Sequence, residues 1–284
     1  MSDRCYAADD LQAGTVELTG PEAHHLTHVL RKRIGDHIAV FNGRGWEAAG
    51  EIVETNRRKM LVRLSDVREL PPPPGPHVTL AVAVPKQDRF RWLAEKAMEL
   101  GVRRLIPLKT ERGVVEPGGG KLDKVRRAVI EAAKQCGASW LMEVDEVTPL
   151  ADVVGQAFQP DRSRIRENSG VSEFSRQNSR ETCDPPGQAG KPDLRLVAHP
   201  GGRSLAEALG NVSPADSLCF VVGPEGGFTD DELASATAAG AIPVGLGAHI
   251  LRIETAAIAL AAWTRLSSRE LRAESREPEQ RRNA

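Results

Sequence analysis

The residues best placed to do chemistry fall in one short span. Gly223-Pro224-Glu225-Gly226-Gly227 follows an apolar run at 218–222, and Gly245-Leu246-Gly247 follows a second short run, before Arg252, Glu254 and Thr255. Three glycines in five residues allow turns and close backbone approach that other residues resist. Such loops offer a ligand main-chain donors and acceptors, and Arg252, Glu225 and Glu254 add one fixed positive charge and two carboxylates. No G-x-G-x-x-G follows a strand and no G-x-x-x-x-G-K-[ST] occurs, so neither a dinucleotide fingerprint nor a P-loop supports a phosphate reading.

These residues need a sheet edge to hold them. Residues 218–222 are continuously apolar and read as a strand covered on both faces. Thr229-Asp230-Asp231-Glu232 matches a capping box, so a helix starts at Thr229 and runs to Gly240. Residues 243–246 read as a short strand and 256–263 as a helix. Two glycine turns at the ends of two strands mark the edge where open α/β sheets bind ligands.

Upstream, the pattern from residue 77 alternates strands (78–84, 104–108, 194–198) with helices (88–100, 122–136, 204–209), which predicts an α/β domain with a mostly parallel sheet over 77–268. Before it, Leu70-Pro71-Pro72-Pro73-Pro74-Gly75-Pro76 reads as a stiff linker. Residues 1–70 read as a small β-rich domain with strands near 16–18, 38–41, 46–53 and 60–64 and a hairpin turn at Asn42-Gly43-Arg44-Gly45. Within it, residues 21–33 have Leu26, Val29 and Leu30 at helical spacing, with His24, His28, Arg31, Lys32 and Arg33 on the other face. That cluster, with Arg57-Arg58-Lys59, reads either as a solvated face or as a phosphate-contacting patch. His25 reads as a core residue beside Leu26. Residues 160–192, rich in Ser, Arg, Asn, Gln and Pro, read as a disordered insertion, and 269–284 as a polar tail.

Composition narrows the function classes. The 284 residues are 40% apolar and 27% charged with a net charge of −1, ordinary globular values that leave any basic surface local. Four scattered cysteines without C-x-x-C, and three histidines without acidic or cysteine partners at ligand spacing, argue against a metal centre or a disulfide framework and for a reducing cytoplasm. No apolar run reaches the ~18 residues of a membrane span.

Together these residues resemble the RsmE family, the 16S ribosomal RNA uracil-N3 methyltransferases of the SPOUT superfamily. The resemblance takes in Arg4-Cys5-Tyr6, His24-His25-Leu26, Val29-Leu30-Arg31, Gly35-Asp36, Phe41-Asn42-Gly43, Lys86-Gln87-Asp88-Arg89, Glu99-Leu100-Gly101-Val102, Glu111-Arg112 and Glu131-Ala132. Its most specific parts are G-P-E-G-G-F at 223–228 and the run from Leu246-Gly247 through Ile250-Leu251-Arg252 to Glu254-Thr255-Ala256. It implies a PUA-like β-barrel at 1–70, a SPOUT-type α/β domain with a C-terminal trefoil knot, a homodimer, and S-adenosyl-L-methionine held by Ala198, His199, Gly223, Gly226, Gly227, Leu246, Gly247, Ile250 and Leu251. It also implies 16S rRNA, within the small ribosomal subunit, as partner. Arg4, His25, Arg31, Lys32 and Arg33 are then the expected RNA contacts.

Transfer of a methyl group to uridine N3 removes a proton, so the site needs a base or groups that stabilise the uracil anion. Arg252 cannot be the base and is assigned to the anion or a phosphate. Glu225 is the preferred base candidate, while Glu254 reads equally as a helix N-terminal carboxylate. Ile253 stands where the family carries threonine, and Cys136-Gly137-Ala138-Ser139-Trp140 lacks the arginine common there. Two alternatives stay open: a SPOUT enzyme acting on another RNA position, and a non-catalytic RNA-binding or assembly factor.

Overall fold

The computed structural model describes residues 3–56, 59–86, 88–115, 117–155, 194–210 and 217–280, with side chains described to residue 266. The expected insertion at 160–192, the Arg57-Arg58 pair and the end of the tail lie outside these residues. Elements run in chain order β1 (Arg4–Tyr6), β2 (Gly14–Thr19), α1 (Gly20–His24), β3 (His37–Phe41), β4 (Trp46–Thr55), β5 (Lys59–Glu69), β6 (His77–Ala83), α2 (Arg89–Glu99), β7 (Arg104–Lys109), α3 (Gly119–Cys136), β8 (Glu143–Val144), β9 (Thr148–Pro149), α4 (Leu150–Gly155), β10 (Leu194–Ser204), α5 (Leu205–Leu209), β11 (Ser217–Val222), α6 (Asp230–Ala238), β12 (Ile242–Gly245) and α7 (Ile253–Gln280).

The first five strands form a sheet of order β1-β3-β4-β5-β2. Alternation along β4 and β5 turns Ala48, Ile52, Met60, Val62 and Leu64 inward, where Leu18, Leu26, Ile38 and Val40 complete the core. The helix expected over 21–33 is α-helical only to His24. It widens into a π-helical turn at His25–Val29, where Leu30 N–H donates to His25 O, and it ends with Arg31 at φ 55°. The wider turn leaves Leu26 buried but Val29 60% exposed, so Val29 does not face the core as its spacing suggested.

The remaining strands build a second sheet in the order β12-β10-β11-β6-β7-β8, with β9 also on β7 and every pair parallel. Its strands read as unbroken apolar runs because both faces are covered. On β11, Leu218, Phe220 and Val222 enter the cluster beneath α2, α3 and α7, while Cys219 and Val221 enter the one beneath α4 and α6. The last helix starts three residues before the expected 256 and continues to Gln280 into the segment read as a tail.

The proline linker is pinned. Trp140 Nε1–H donates to Leu70 O and Pro71 O at 3.1 and 3.2 Å, and Leu70 N–H donates to Gly45 O. The turn at 42–45 is therefore a docking surface as well as a hairpin: Gly45 N–H donates to Ser139 O and Leu141 N–H to Gly43 O. Arg4 is one of the expected RNA contacts. Its guanidinium lies inside this junction with a side chain only 10% exposed, 2.7 Å from Glu47 Oε2, 2.8 Å from Ser139 Oγ and 4.9 Å over the Phe41 ring. Its charge is engaged by the protein's own carboxylate, so it clasps the two units together.

Burial alone would raise the Glu47 carboxyl, but hydrogen bonds from Arg68, Arg4 and Ser139 outweigh it and hold the group at about 2. Since an unfolded glutamate titrates near ~4.3, the clasp stabilises fully above that pH and is lost as pH falls through ~4 toward 2. Urea denaturation at stepped pH should find this acid-limb dependence in the parent and not in Glu47→Gln, which should lose on the order of 3 kcal/mol at neutral pH. Equal acid limbs in both proteins would remove the role given to Glu47.

Candidate active site

Strand β10 lies between β11 and β12, so the chain leaving each of these neighbours emerges at one edge of the sheet. Three segments meet there: 198–200 from β10, 223–228 after β11 and 246–251 after β12. They enclose a cleft of about 310 Å³. All nine residues expected to hold a cofactor line it: Ala198 and His199, then Gly223, Gly226 and Gly227, then Leu246, Gly247, Ile250 and Leu251. Val222, Phe228, Ile253 and Ala256 add apolar wall, which makes Ile253 a cleft residue whose hydrocarbon replaces the family's hydroxyl.

The loops are held from several sides. The Thr229 capping box is complete, with Glu232 N–H donating to Thr229 Oγ1 at 3.2 Å and Thr229 N–H to Glu232 Oε2 at 2.9 Å. Glu232 also accepts from Glu111 N–H at 2.9 Å, and Arg112 Nη1 donates to the carbonyls of Gly226 (2.9 Å) and Phe228 (3.3 Å). Two glycines of this region have a steric reason within the fold itself. A Cβ on Gly223 would sit 2.8 Å from the Phe228 ring, and one on Gly202 would sit 2.5 Å from the Val244 backbone nitrogen. The first approach is within the 223–228 loop and the second is between β10 and β12, whereas a Cβ on Gly227 or Gly247 would meet nothing within 4 Å. Gly202 lies in the irregular part of β10, where its register with β12 shifts between Ala198 and Arg203.

The catalytic candidates divide. Glu225 lines the cleft and its side chain is 53% exposed. Arg252 is exposed between the lining residues Leu251 and Ile253, and no hydrogen bond or ion pair engages its side chain among the described residues. Glu254 is 9% exposed, sits in the first turn of α7 and does not line the cleft. Both carboxylates face Arg89, a motif residue with no role assigned to it above, whose Nη1 lies 3.6 Å from Glu225 Oε1 and 3.7 Å from Glu254 Oε1. Nothing local could have revealed it, because Arg89 lies far in sequence from the two glutamates.

The expected RNA contacts also divide. Arg31 and Arg33 are exposed on the first unit, His25 is half-buried, and Lys32 is ion-paired to Asp3. With Arg4 turned into the junction, Arg31 and Arg33 are the free cations of the set. Among the described residues there is no cluster of His, Cys, Asp and Glu able to hold a metal ion, and no helix is long and apolar enough to cross a membrane.

A parallel α/β domain with a backbone-lined cleft at its sheet edge, joined to a small β unit, defines a class found among RNA-modifying enzymes, and the comparisons agree. Residues 72–265 match the RNA methyltransferase domain family and residues 18–65 the RNA methyltransferase PUA domain. The chain belongs to the ribosomal RNA small subunit methyltransferase E family. It is 32% identical over 252 residues to the protein of that name from Synechocystis sp., covering 88% of this chain and 72% of the relative. The Bacillus subtilis protein of the same name is 29% identical, covering 86% and 87%. Among solved structures, a Legionella pneumophila methyltransferase in complex with the bound cofactor SAM superposes with a TM-score of 0.75 at 25% identity, covering 94% of this chain and 98% of that one.

Proposed function

We propose that this protein transfers a methyl group from S-adenosyl-L-methionine (SAM) to N3 of a uridine in 16S rRNA, acting in the cytoplasm as a homodimer on the assembled small subunit. The observation that carries the reading is the cleft itself, in which all nine cofactor positions implied by the family resemblance converge. Its residues fit the cofactor: the volume lies in the range of small-molecule sites, apolar side chains face a flat base, and glycine loops present main-chain groups to the polar ends. The relatives named as small-subunit methyltransferases support the substrate class.

Bound there, SAM supplies an electrophilic methyl group on a sulfonium, and transfer is an in-line displacement governed by positioning. Arg252, exposed beside the cleft and free of partners among the described residues, steadies the negative charge that develops on the uracil. Glu225 receives the N3 proton, a role supported by its position on the cleft wall. Glu254 is buried and outside the cleft, and acts as an anchor. Arg31 and Arg33 contact phosphate, and the paired replacement Arg31→Ala with Arg33→Ala should flatten the salt dependence of subunit binding by a slope of about 2. An unchanged slope would return these arginines to an ordinary solvated face.

The direct test is methylation of small subunits from a strain lacking the modification, followed by nucleoside mass spectrometry. The expected product is 3-methyluridine. A methyl on another base or on a ribose hydroxyl would place the enzyme elsewhere in RNA modification. No SAM binding by calorimetry at millimolar donor would favour a binding or assembly factor.

A further inference from the structure

We propose that Arg89 is a positioning residue that ties the two walls of the cleft together, a role that rests on the cleft being the SAM site. Arg89 opens α2, directly after β6, and β6 is the sheet neighbour of β11. Helix α2 therefore presents its first residue beneath the loop that follows β11. The guanidinium lies between Glu225 of that loop, at 3.6 Å, and Glu254 in the first turn of α7, at 3.7 Å. One wall of the cleft is the 223–228 loop and the other includes Ile253 and Ala256, which flank Glu254. Arg89 is 36% exposed and its two partners differ sharply, Glu225 being 53% exposed and Glu254 11% by side chain.

Charge arithmetic gives the link its force. Three groups carry one net negative charge while Arg89 is present, and two facing carboxylates carry two without it. Glu254, buried, then has no counter-ion among the described residues, and a buried carboxylate left without a partner is costly. The mobile partner is the exposed one, Glu225, so the relief comes by the glycine loop moving away from α7 and opening the cleft. Arg112 holds the other side of that loop through two carbonyls and keeps it from unfolding outright. Loss of Arg89 thus widens a site that stays formed. Arg89 acts on the cofactor through Glu225 and Glu254, without touching the reacting atoms.

The experiment is calorimetric titration of SAM into the full-length parent and its variants, with steady-state kinetics on small subunits. Arg89→Met should weaken SAM binding about tenfold and raise KM for SAM by the same factor, with KM for subunits unchanged. Arg89→Lys should recover binding to within about threefold of the parent, because a point charge still reaches one carboxylate. Arg89→Met combined with Glu254→Gln should be no weaker than Arg89→Met alone, since both remove one link. Arg91→Ala, at an exposed arginine on the same helix paired to Glu95, is the control and should bind as the parent does. Parent-level binding by Arg89→Met, equal rises in both KM values, or full additivity of the double variant would each overturn the proposal. Should Arg89→Met not fold, Arg89→Lys and Glu254→Gln carry the test, and parent-level SAM affinity in Glu254→Gln overturns it. If the parent itself binds no SAM, the assignment of the cleft fails first, an outcome separable from every one above.

Discussion

Replacing Arg252 by alanine should lower the single-turnover rate of methylation by about a thousandfold while leaving SAM affinity within about threefold of the parent. The two halves of that result come from the same geometry. Arg252 stands beside the cleft, flanked by two lining residues, but does not line it, so cofactor binding does not depend on it. Its guanidinium is exposed and has no carboxylate partner among the described residues, so its charge is available to the acceptor. The uracil gains negative charge as N3 loses its proton, and a fixed cation at that point favours the transition state over the ground state. Arg252→Lys should recover only part of the rate, because the planar fork and its direction are lost with the guanidinium. An alanine variant that methylates at the parent rate would remove Arg252 from the mechanism; one that cannot bind SAM would make it a structural residue of the cleft.

Gly202→Ala should cost at least ~3 kcal/mol of stability, a large effect for a single methyl group. The added carbon would lie 2.5 Å from Val244 N and 2.6 Å from Pro243 C and Val244 C. All three atoms are backbone, so no rotamer change relieves the clash, and β12 itself would have to move away from β10. The loop after β12 supplies five lining residues from Leu246 to Ile250 along one wall, so SAM binding should fall together with stability. Gly201→Ala is the matched comparison: its φ of 84° strains an alanine, but nothing lies within 4 Å of the new carbon, so the cost should stay near ~1 kcal/mol. Urea denaturation of the two variants side by side tests this, and equal costs would mean that the crossing at Gly202 is loose.

Where structure is encoded in neighbouring residues, it was legible. The apolar run at 218–222, the box Thr229 to Glu232, the end of α3 at Gly137 with φ 77°, and the short helix after Ser204 were all readable from local spacing. The cleft was legible for the same reason, since two of its three loops follow strands in one short span. What could not be read depends on pairing across the chain. Strand β1 has three residues, too few for periodicity, and exists because β3 lies beside it. Arg4 looked like any surface arginine near a terminus, and only the arrival of Glu47 and Ser139 turns it inward. Arg89 was visible as part of a motif but had no role until Glu225 and Glu254 met around it. At 25–29 helical spacing was present, yet the turn is π-helical, with Leu26 buried and Val29 exposed.

The strand order has a consequence for how the molecule comes into being. Strand β6 is the first strand of the larger sheet to be synthesised, yet one of its two neighbours is β11, with Ser217 beside His77. A nascent chain can complete the five-stranded unit early, because all of its strands lie within the first 69 residues. The larger sheet must wait with one flank of β6 unpaired, an apolar edge open to wrong partners, until β11 has emerged. Pairings this remote in sequence slow folding. The junction around Arg4 and Trp140 then gives the early unit a further use: once α3 and the turn after it are made, it can hold the growing half in place while the final strands are still being added.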